Sequence, residues 1–215
     1  MKASVVSTWI LLLATTAYIQ KVNGASDPLI RAVRNNNVDL VKSLLDSGAD
    51  TKATDIVDGY NALMIALRYK KSDKIVKLLI PKSDVKATSN SGGTALMLAL
   101  EFGNDKMAKL LIPKSDVKAT DNYGYSALMW AARKKNVKMA KVLIPNSDVK
   151  ATDRNGWSAL IIAAIMSTKY QDNELVKLLL PQSDVTATDN YGSTALDYAK
   201  HKGHNQIVSL LQQYN

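Results

Sequence analysis

The sequence predicts an all-α solenoid, built of stacked helix-turn-helix units joined by β-hairpin loops. Three observations predict it. The first is repetition. The phrase Pro-Lys-Ser-Asp-Val-Lys-Ala-Thr occupies residues 81–88 and returns unchanged at 113–120. Near copies begin at Pro145 and Pro181, so its Asp recurs at Asp84, Asp116, Asp148 and Asp184, in steps of 32, 32 and 36 residues. A period of this length marks a chain whose units bury their apolar faces only against their neighbours. The second is that each period holds two short apolar runs at helical spacing. The third is composition. Hydrophobic residues make up 47% of the chain, with a single Phe, and Ala and Leu dominate the periodic positions. Such a chain buries a core rather than staying disordered, and its helices are thin and close-packed.

The unit from Asp121 to Lys150 justifies each element in order. Asn122-Tyr123-Gly124-Tyr125 is a turn centred on glycine. Ser126 follows where a helix N-cap is wanted, its hydroxyl able to accept an orphan backbone N–H. Ala127 to Ala132 is a first helix of small and apolar residues, and Lys135-Asn136 turns the chain. Val137 to Ile144 is a second helix with Val137, Ala140, Leu143 and Ile144 on one face. Pro145 stops it. Asp148 to Thr152 is read as an extended lead into the next turn.

This unit resembles the ankyrin repeat, whose pattern is Asp-x-x-Gly-x-Thr-Pro-Leu-His, a small-residue pair, Gly-His, Ile-Val, Leu-Leu and Gly-Ala-Asp. Leu44-Leu45-Asp46-Ser47-Gly48-Ala49-Asp50 carries the end of that pattern almost verbatim, and Gly203-His204-Asn205-Gln206-Ile207-Val208-Ser209-Leu210-Leu211 carries its second helix. The resemblance covers essentially the whole chain after residue 24. It implies an ankyrin-repeat domain over residues 25–215, with units at about 27–54, 55–88, 89–120, 121–152, 153–188 and 189–215. Two departures stand out. The family's Thr-Pro-Leu-His reads Asn61-Ala62-Leu63-Met64, Thr94-Ala95-Leu96-Met97, Ser126-Ala127-Leu128-Met129 and Ser158-Ala159-Leu160-Ile161. An apolar residue in place of His implies that packing replaces part of a hydrogen-bond network. The glycine that ends the second helix becomes Lys82, Lys114, Asn146 or Gln182, each preceded by Pro. The fifth unit is four residues longer, within Ile165 to Asn173. Insertions of this kind collect on one face of an array, either as a working loop or as a tolerated one.

Residues 1–24 read differently. Lys2 is followed by an almost continuously apolar run from Val5 to Ile19, and Val22-Asn23-Gly24 precedes Ala25. This is the layout of a cleavable signal peptide, with an uncleaved N-terminal anchor or an ordinary buried helix as the alternatives, and the run is short for a membrane span. Cleavage there removes Lys2 and Lys21 and takes the net charge from +9 to +7. The expected localisation is therefore export, with the periplasm favoured and an extracellular destination as the alternative. The chain has no cysteine, which excludes disulfides, thiolate chemistry and Cys-ligated zinc.

No catalytic constellation emerges, and the chain is read as a non-enzyme that implies no cofactor and no metal. His201 and His204 are the only histidines, and His204 matches the structural His of the Gly-His pair. The recurrent Asp84, Asp116, Asp148 and Asp184 fall at turns, where Asp bonds its own backbone. Gly92-Gly93 is a hairpin turn rather than a phosphate cradle.

What remains is surface. The resembled family grips other proteins with its hairpin tips and with the concave side formed by its first helices. Carried over position by position, that picks out Tyr60, Tyr123, Tyr125, Arg154, Trp157 and Tyr191 at the hairpins. At the helix ends it picks out Arg68, Tyr69, Phe102, Arg133, Ile165 and Met166. Tyr, Trp and Arg dominate binding hot spots. The rings at the hairpins either form such a surface or pack on adjacent hairpins, and Trp130 is read as core. Lysines recur at Lys74 and Lys77, Lys106 and Lys109, Lys138 and Lys141. They are read as a solvated outer face or as an attractor of anionic polymers or an acidic partner. Lysines and rings lie on different faces, which argues against nucleic acid. The expectation is an exported binding module, monomeric when free and without stable membrane insertion after cleavage. It would cover and inhibit an envelope or secreted enzyme, such as a peptidase or cell-wall hydrolase. A secreted effector that binds a host protein, and an envelope enzyme or ligand receptor, are the alternatives.

Overall fold

The computed structural model describes residues 27–167 and 173–214. The signal-like segment 1–24 and residues 168–172 of the fifth-unit insertion lie outside the described residues.

Short polar side chains start the helices. Asp27 accepts from Ile30 N–H at the start of α1 (Pro28–Arg34), with Pro28 in the first turn. Asn37 does the same for α2 (Val38–Asp46), Asn61 for α3 (Ala62–Arg68) and Ser72 for α4 (Asp73–Leu79). Thr94, Asn104, Ser126, Asn136 and Ser158 cap α5 (Ala95–Glu101), α6 (Asp105–Leu111), α7 (Ala127–Arg133), α8 (Val137–Leu143) and α9 (Ala159–Met166). Next come α10 (Glu174–Leu179), α11 (Ala195–His201) and α12 (Asn205–Gln212). Thr194 and Asp197 open α11 with a reciprocal capping box. Each such cap is worth about 1 kcal/mol, which matters for helices of only two turns.

Proline ends the second helices by tightening them. In α6, α8 and α10 the last α-helical residue is a Leu. A 3-10 turn then follows over Ile112–Lys114, Ile144–Asn146 and Leu180–Gln182, with Pro inside it. The chain next turns at the recurrent Asp. Asp84, Asp116, Asp148 and Asp184 each accept from the backbone N–H two residues on, the Asx turn expected of them. The extended run expected over Asp148 to Thr152 is therefore a turn at Val149-Lys150. Among the described residues, strand pairing shrinks to isolated bridges, Thr54 with Asn61, Thr120 with Ser126 and Thr152 with Ser158.

The chain forms two compact units, one ending at Asn90 and one starting at Ser91. In the first, α1 packs on α2 and α3, and α4 on α2 and α3. Leu29, Val33, Val41, Leu63, Ile65, Leu67 and Leu79 are wholly enclosed. In the second, α5, α7, α9 and α11 pack side by side, and each carries its own second helix, α6, α8, α10 or α12. Ala99, Ala131, Ala132, Ala163 and Ala164 are enclosed, and their small side chains let the first helices approach closely. Met107, Met139, Leu111 and Leu143 fill the space between the layers, each large side chain contributing about 1.5–3 kcal/mol.

Successive hairpins are joined through the main chain. Asn122 N–H donates to Ser91 O (2.8 Å), Arg154 N–H to Tyr123 O (2.9 Å) and Asn190 N–H to Asn155 O (3.0 Å). In the first unit Asn90 N–H donates to Asp58 O (2.9 Å). Glycine is obligatory where these rungs are tightest. A Cβ on Gly156, at φ +82°, would lie 2.9 Å from Asn190 N and Asp189 Cα.

Candidate interaction surface on the hairpins and helix ends

An aspartate organises four of the hairpins, and Ser89 takes its place in the one at 89–93. Asp121 Oδ1 accepts from Tyr123 and Tyr125 N–H, Asp153 Oδ1 from Asn155 and Trp157 N–H, and Asp189 Oδ1 from Tyr191 and Ser193 N–H. Asp55 does the same for Asp58 and Tyr60 N–H in the first unit. This clamp separates two kinds of side chain. Residues one or two after the Asp are exposed, whereas the residue just before the N-cap turns in.

The outward set in the second unit is Tyr123, Arg154 and Tyr191. Tyr123 is 65% exposed and Tyr191 82% exposed, and Arg154 is exposed beside Tyr123 on the rung that joins their hairpins. Rings held this far out contact little of their own chain.

The inward set corrects part of the sequence reading. Tyr60 is only 7% exposed and Tyr125 only 9%. Both precede an N-cap, Asn61 and Ser126, the position from which a side chain staples onto the first helical turn. The Tyr125 ring lies 5.3 Å from that of Trp130, four residues into α7 from the cap. Arg133, one turn on, sets its guanidinium 5.4 Å from the Trp130 ring and 5.8 Å from the Tyr125 ring. Burial raises the Tyr125 hydroxyl above the ordinary tyrosine range, against the pull of Arg133. In the first unit, Arg68 lies 5.7 Å from the rings of both Tyr60 and Tyr69. Tyr60 and Tyr125 thus present themselves only through the arginines they support, of which Arg133 is exposed and Arg68 half-buried. Tyr69 is exposed, while Phe102, Ile165 and Met166 are half-buried. Trp130 is also half-buried rather than fully core, and its indole N–H is enclosed without a hydrogen-bond partner.

Trp157 likewise turns partly inward. Its Nε1–H donates to Asp189 Oδ2 (3.0 Å), which also accepts from the Tyr198 hydroxyl (2.5 Å). The Trp157 and Tyr198 rings meet edge to face at 5.9 Å. Burial by itself would raise the Asp189 pKa. Donation from the Tyr198 hydroxyl, the Ser193 and Tyr191 amides and the Trp157 indole outweighs it and holds the group at about 2. Sequence reasoning passed over this network because its partners come from three separate elements.

Matches to the family described as ankyrin repeats (3 copies) cover residues 9–89, 29–121, 63–153, 107–172 and 145–215. The chain belongs to the ankyrin-repeat family. An ankyrin repeat domain from Acinetobacter baumannii AYE is similar to it at 30% identity and a TM-score of 0.78, over 87% of this chain and 97% of that one. EF0377, an ankyrin repeat protein, is similar at 27% identity and a TM-score of 0.77, over 87% and 98%. The fold class is that of an ankyrin-repeat solenoid, a mostly helical scaffold that typically binds proteins and carries no catalysis. In this ankyrin-repeat chain Met64, Met97, Met129 and Ile161 stand at the family's His position, and all are buried. His204 keeps the Gly-His role, with Nδ1 3.0 Å from Ala164 O. Asp197 is occupied by its cap: Oδ2 accepts from Thr194 N–H (3.0 Å) and Oγ1–H (2.6 Å), and the hydroxyl bond lowers its pKa. Among the described residues no helix is long and apolar enough to cross a membrane.

Proposed function

We propose that this ankyrin-repeat chain is an exported protein-binding module that covers and inhibits an envelope or secreted enzyme, such as a peptidase or cell-wall hydrolase. Protein binding itself follows from the family. The observation that carries the finer reading is the row of outward tips Tyr123, Arg154 and Tyr191, with Arg133 on its aromatic support nearby in sequence. Aromatic rings bury large contact area at small entropic cost, and an arginine among them adds charge and hydrogen bonding. A module of this kind acts most simply by occlusion. The signal-like residues 1–24 support delivery to the periplasm, as a monomer until the target is met.

Co-purification from the exporting compartment, followed by mass spectrometry, tests the reading. A single hydrolase or peptidase is expected, with its activity reduced by the purified chain and restored by Tyr123→Ala/Tyr191→Ala. Recovery of a partner whose binding survives that double substitution overturns the assigned surface. N-terminal sequencing that finds Met1 on the protein in its final compartment overturns the cleavage.

A further inference from the structure

In the second unit the outward faces of α6 and α8 repeat one pattern. Three residues on each share one face by their i, i+3, i+4 spacing: Lys106, Lys109 and Leu110 on α6, and Lys138, Lys141 and Val142 on α8. All six are exposed. Leu110 and Val142 remain 43% and 41% exposed although the layer beneath is fully packed. The inner faces of these helices, Met107, Ala108 and Leu111 and then Met139, Ala140 and Leu143, are enclosed, so the six exposed residues point away from the first-helix layer.

The acidic groups near this face gather at one end of it. α8 contains none. Asp105 Oδ1 accepts from Asn136 Nδ2 (2.6 Å), and Glu174 Oε1 pairs with Lys141 Nζ (2.7 Å) at one edge. With Glu101 they line an open groove at the loop end of the helices, whose wall Lys138 and Lys141 share, so Lys106 and Lys109 on α6 lie outside it.

We propose that this lysine-rich face, with its two apolar side chains, docks on an anionic phospholipid bilayer. Lysines that merely keep an array soluble need no aliphatic neighbours at their centre, and a soluble polyanion offers Leu110 and Val142 nothing to enter. A headgroup layer satisfies both, phosphates for the ammonium groups and the acyl boundary for the aliphatic tips. Docking lays α6 and α8 on the membrane and leaves the first-helix layer turned away from it.

The test is co-sedimentation of the full chain with vesicles of phosphatidylglycerol and phosphatidylcholine in equal parts, against phosphatidylcholine alone. Residues 1–24 are the same in every variant, so differences report the face. Binding is expected to the anionic vesicles in excess of the neutral ones, and to fall as salt rises. Lys106→Glu/Lys138→Glu lowers the partition at least about 25-fold, since each surface lysine contributes about fivefold. Leu110→Ser/Val142→Ser, at exposed positions that do not threaten folding, lowers it at unchanged charge. Lys200→Glu/Lys202→Glu, with the same net charge at the end of a first helix, leaves it intact. Equal losses from both lysine pairs, no loss from the apolar pair, or binding to polyphosphate but not to vesicles would each overturn the proposal.

Discussion

Asp189→Asn isolates the densest polar network in the protein. The asparagine keeps one acceptor oxygen for the Tyr191 and Ser193 amides, both 2.9 Å from Asp189 Oδ1. Its amide nitrogen then faces the Trp157 indole N–H and the Tyr198 hydroxyl, which both donate to Oδ2. The hydroxyl can rotate and accept, but the indole cannot. One enclosed donor left without a partner costs about 1–3 kcal/mol, and the remaining bonds lose their charge assistance. Together these give about 3 kcal/mol. The acid dependence carries a second signature. The folded-state pKa of about 2 lies below the ordinary aspartate value of 3.8. The stabilisation is therefore whole above about pH 4 and is lost as pH falls toward 2. Urea unfolding followed by tryptophan fluorescence, near neutrality and at several acid pH values, reads both. The substituted protein unfolds at lower urea and loses part of the acid-dependent slope. Tyr198→Phe costs about 1 kcal/mol and removes the largest single part of that slope, since its hydroxyl is the leading donor that holds Asp189 low. An unchanged midpoint for Asp189→Asn, or an acid slope equal to the parent's, would refute the reasoning.

Other outcomes follow from the same geometry. Tyr125→Ala removes a staple and an arginine support and costs about 2–4 kcal/mol, whereas Tyr123→Ala, two residues away, stays within about 0.5 kcal/mol; parallel urea titrations compare them. Gly156→Ala combines a positive φ with contact on the Asn190 and Asp189 backbone and costs about 2–4 kcal/mol, against about 1 kcal/mol for Gly48→Ala, where φ is +81° but no atom lies nearby. Lys135 sits at φ +56° in the turn between α7 and α8, so Lys135→Gly raises the thermal midpoint, by about 0.5–1 kcal/mol of stability. Tyr191→Ala weakens capture of the co-purified partner by about 2 kcal/mol or more with no change in melting.

The period, the caps and the proline stops were legible because each rests on residues within one turn of one another. Ser126 beside Ala127, or Pro113 after Ile112, carries its meaning locally. The recurrent Asp turns were legible for the same reason, and the strand expected after them failed because the Asx bond already curls that backbone. The hairpin rings were harder. Tyr123 and Tyr125 are two residues apart with the same chemistry, and the Asp121 clamp with the staple onto Trp130 decides which one faces water. The signal for the staple was present in the sequence, a large residue immediately before an N-cap, but spacing alone left open whether such a ring forms a surface or packs inward. The Asp189 network could not be seen, since Trp157 reaches it from 32 residues away.

The rungs between hairpins have a consequence for how such a protein diversifies. Arg154 meets Tyr123, and Asn190 meets Asn155, through amide and carbonyl groups that every non-proline residue possesses. Register therefore does not rest on the outward side chains Tyr123, Arg154 and Tyr191, although Asn190 adds a side-chain rung, its Nδ2 donating to Arg154 O (2.8 Å). A lineage can exchange the outward residue of one hairpin while the main-chain rungs to its neighbours stay in place. New specificity is then reached by single steps that leave the rest of the stack unaware of the change.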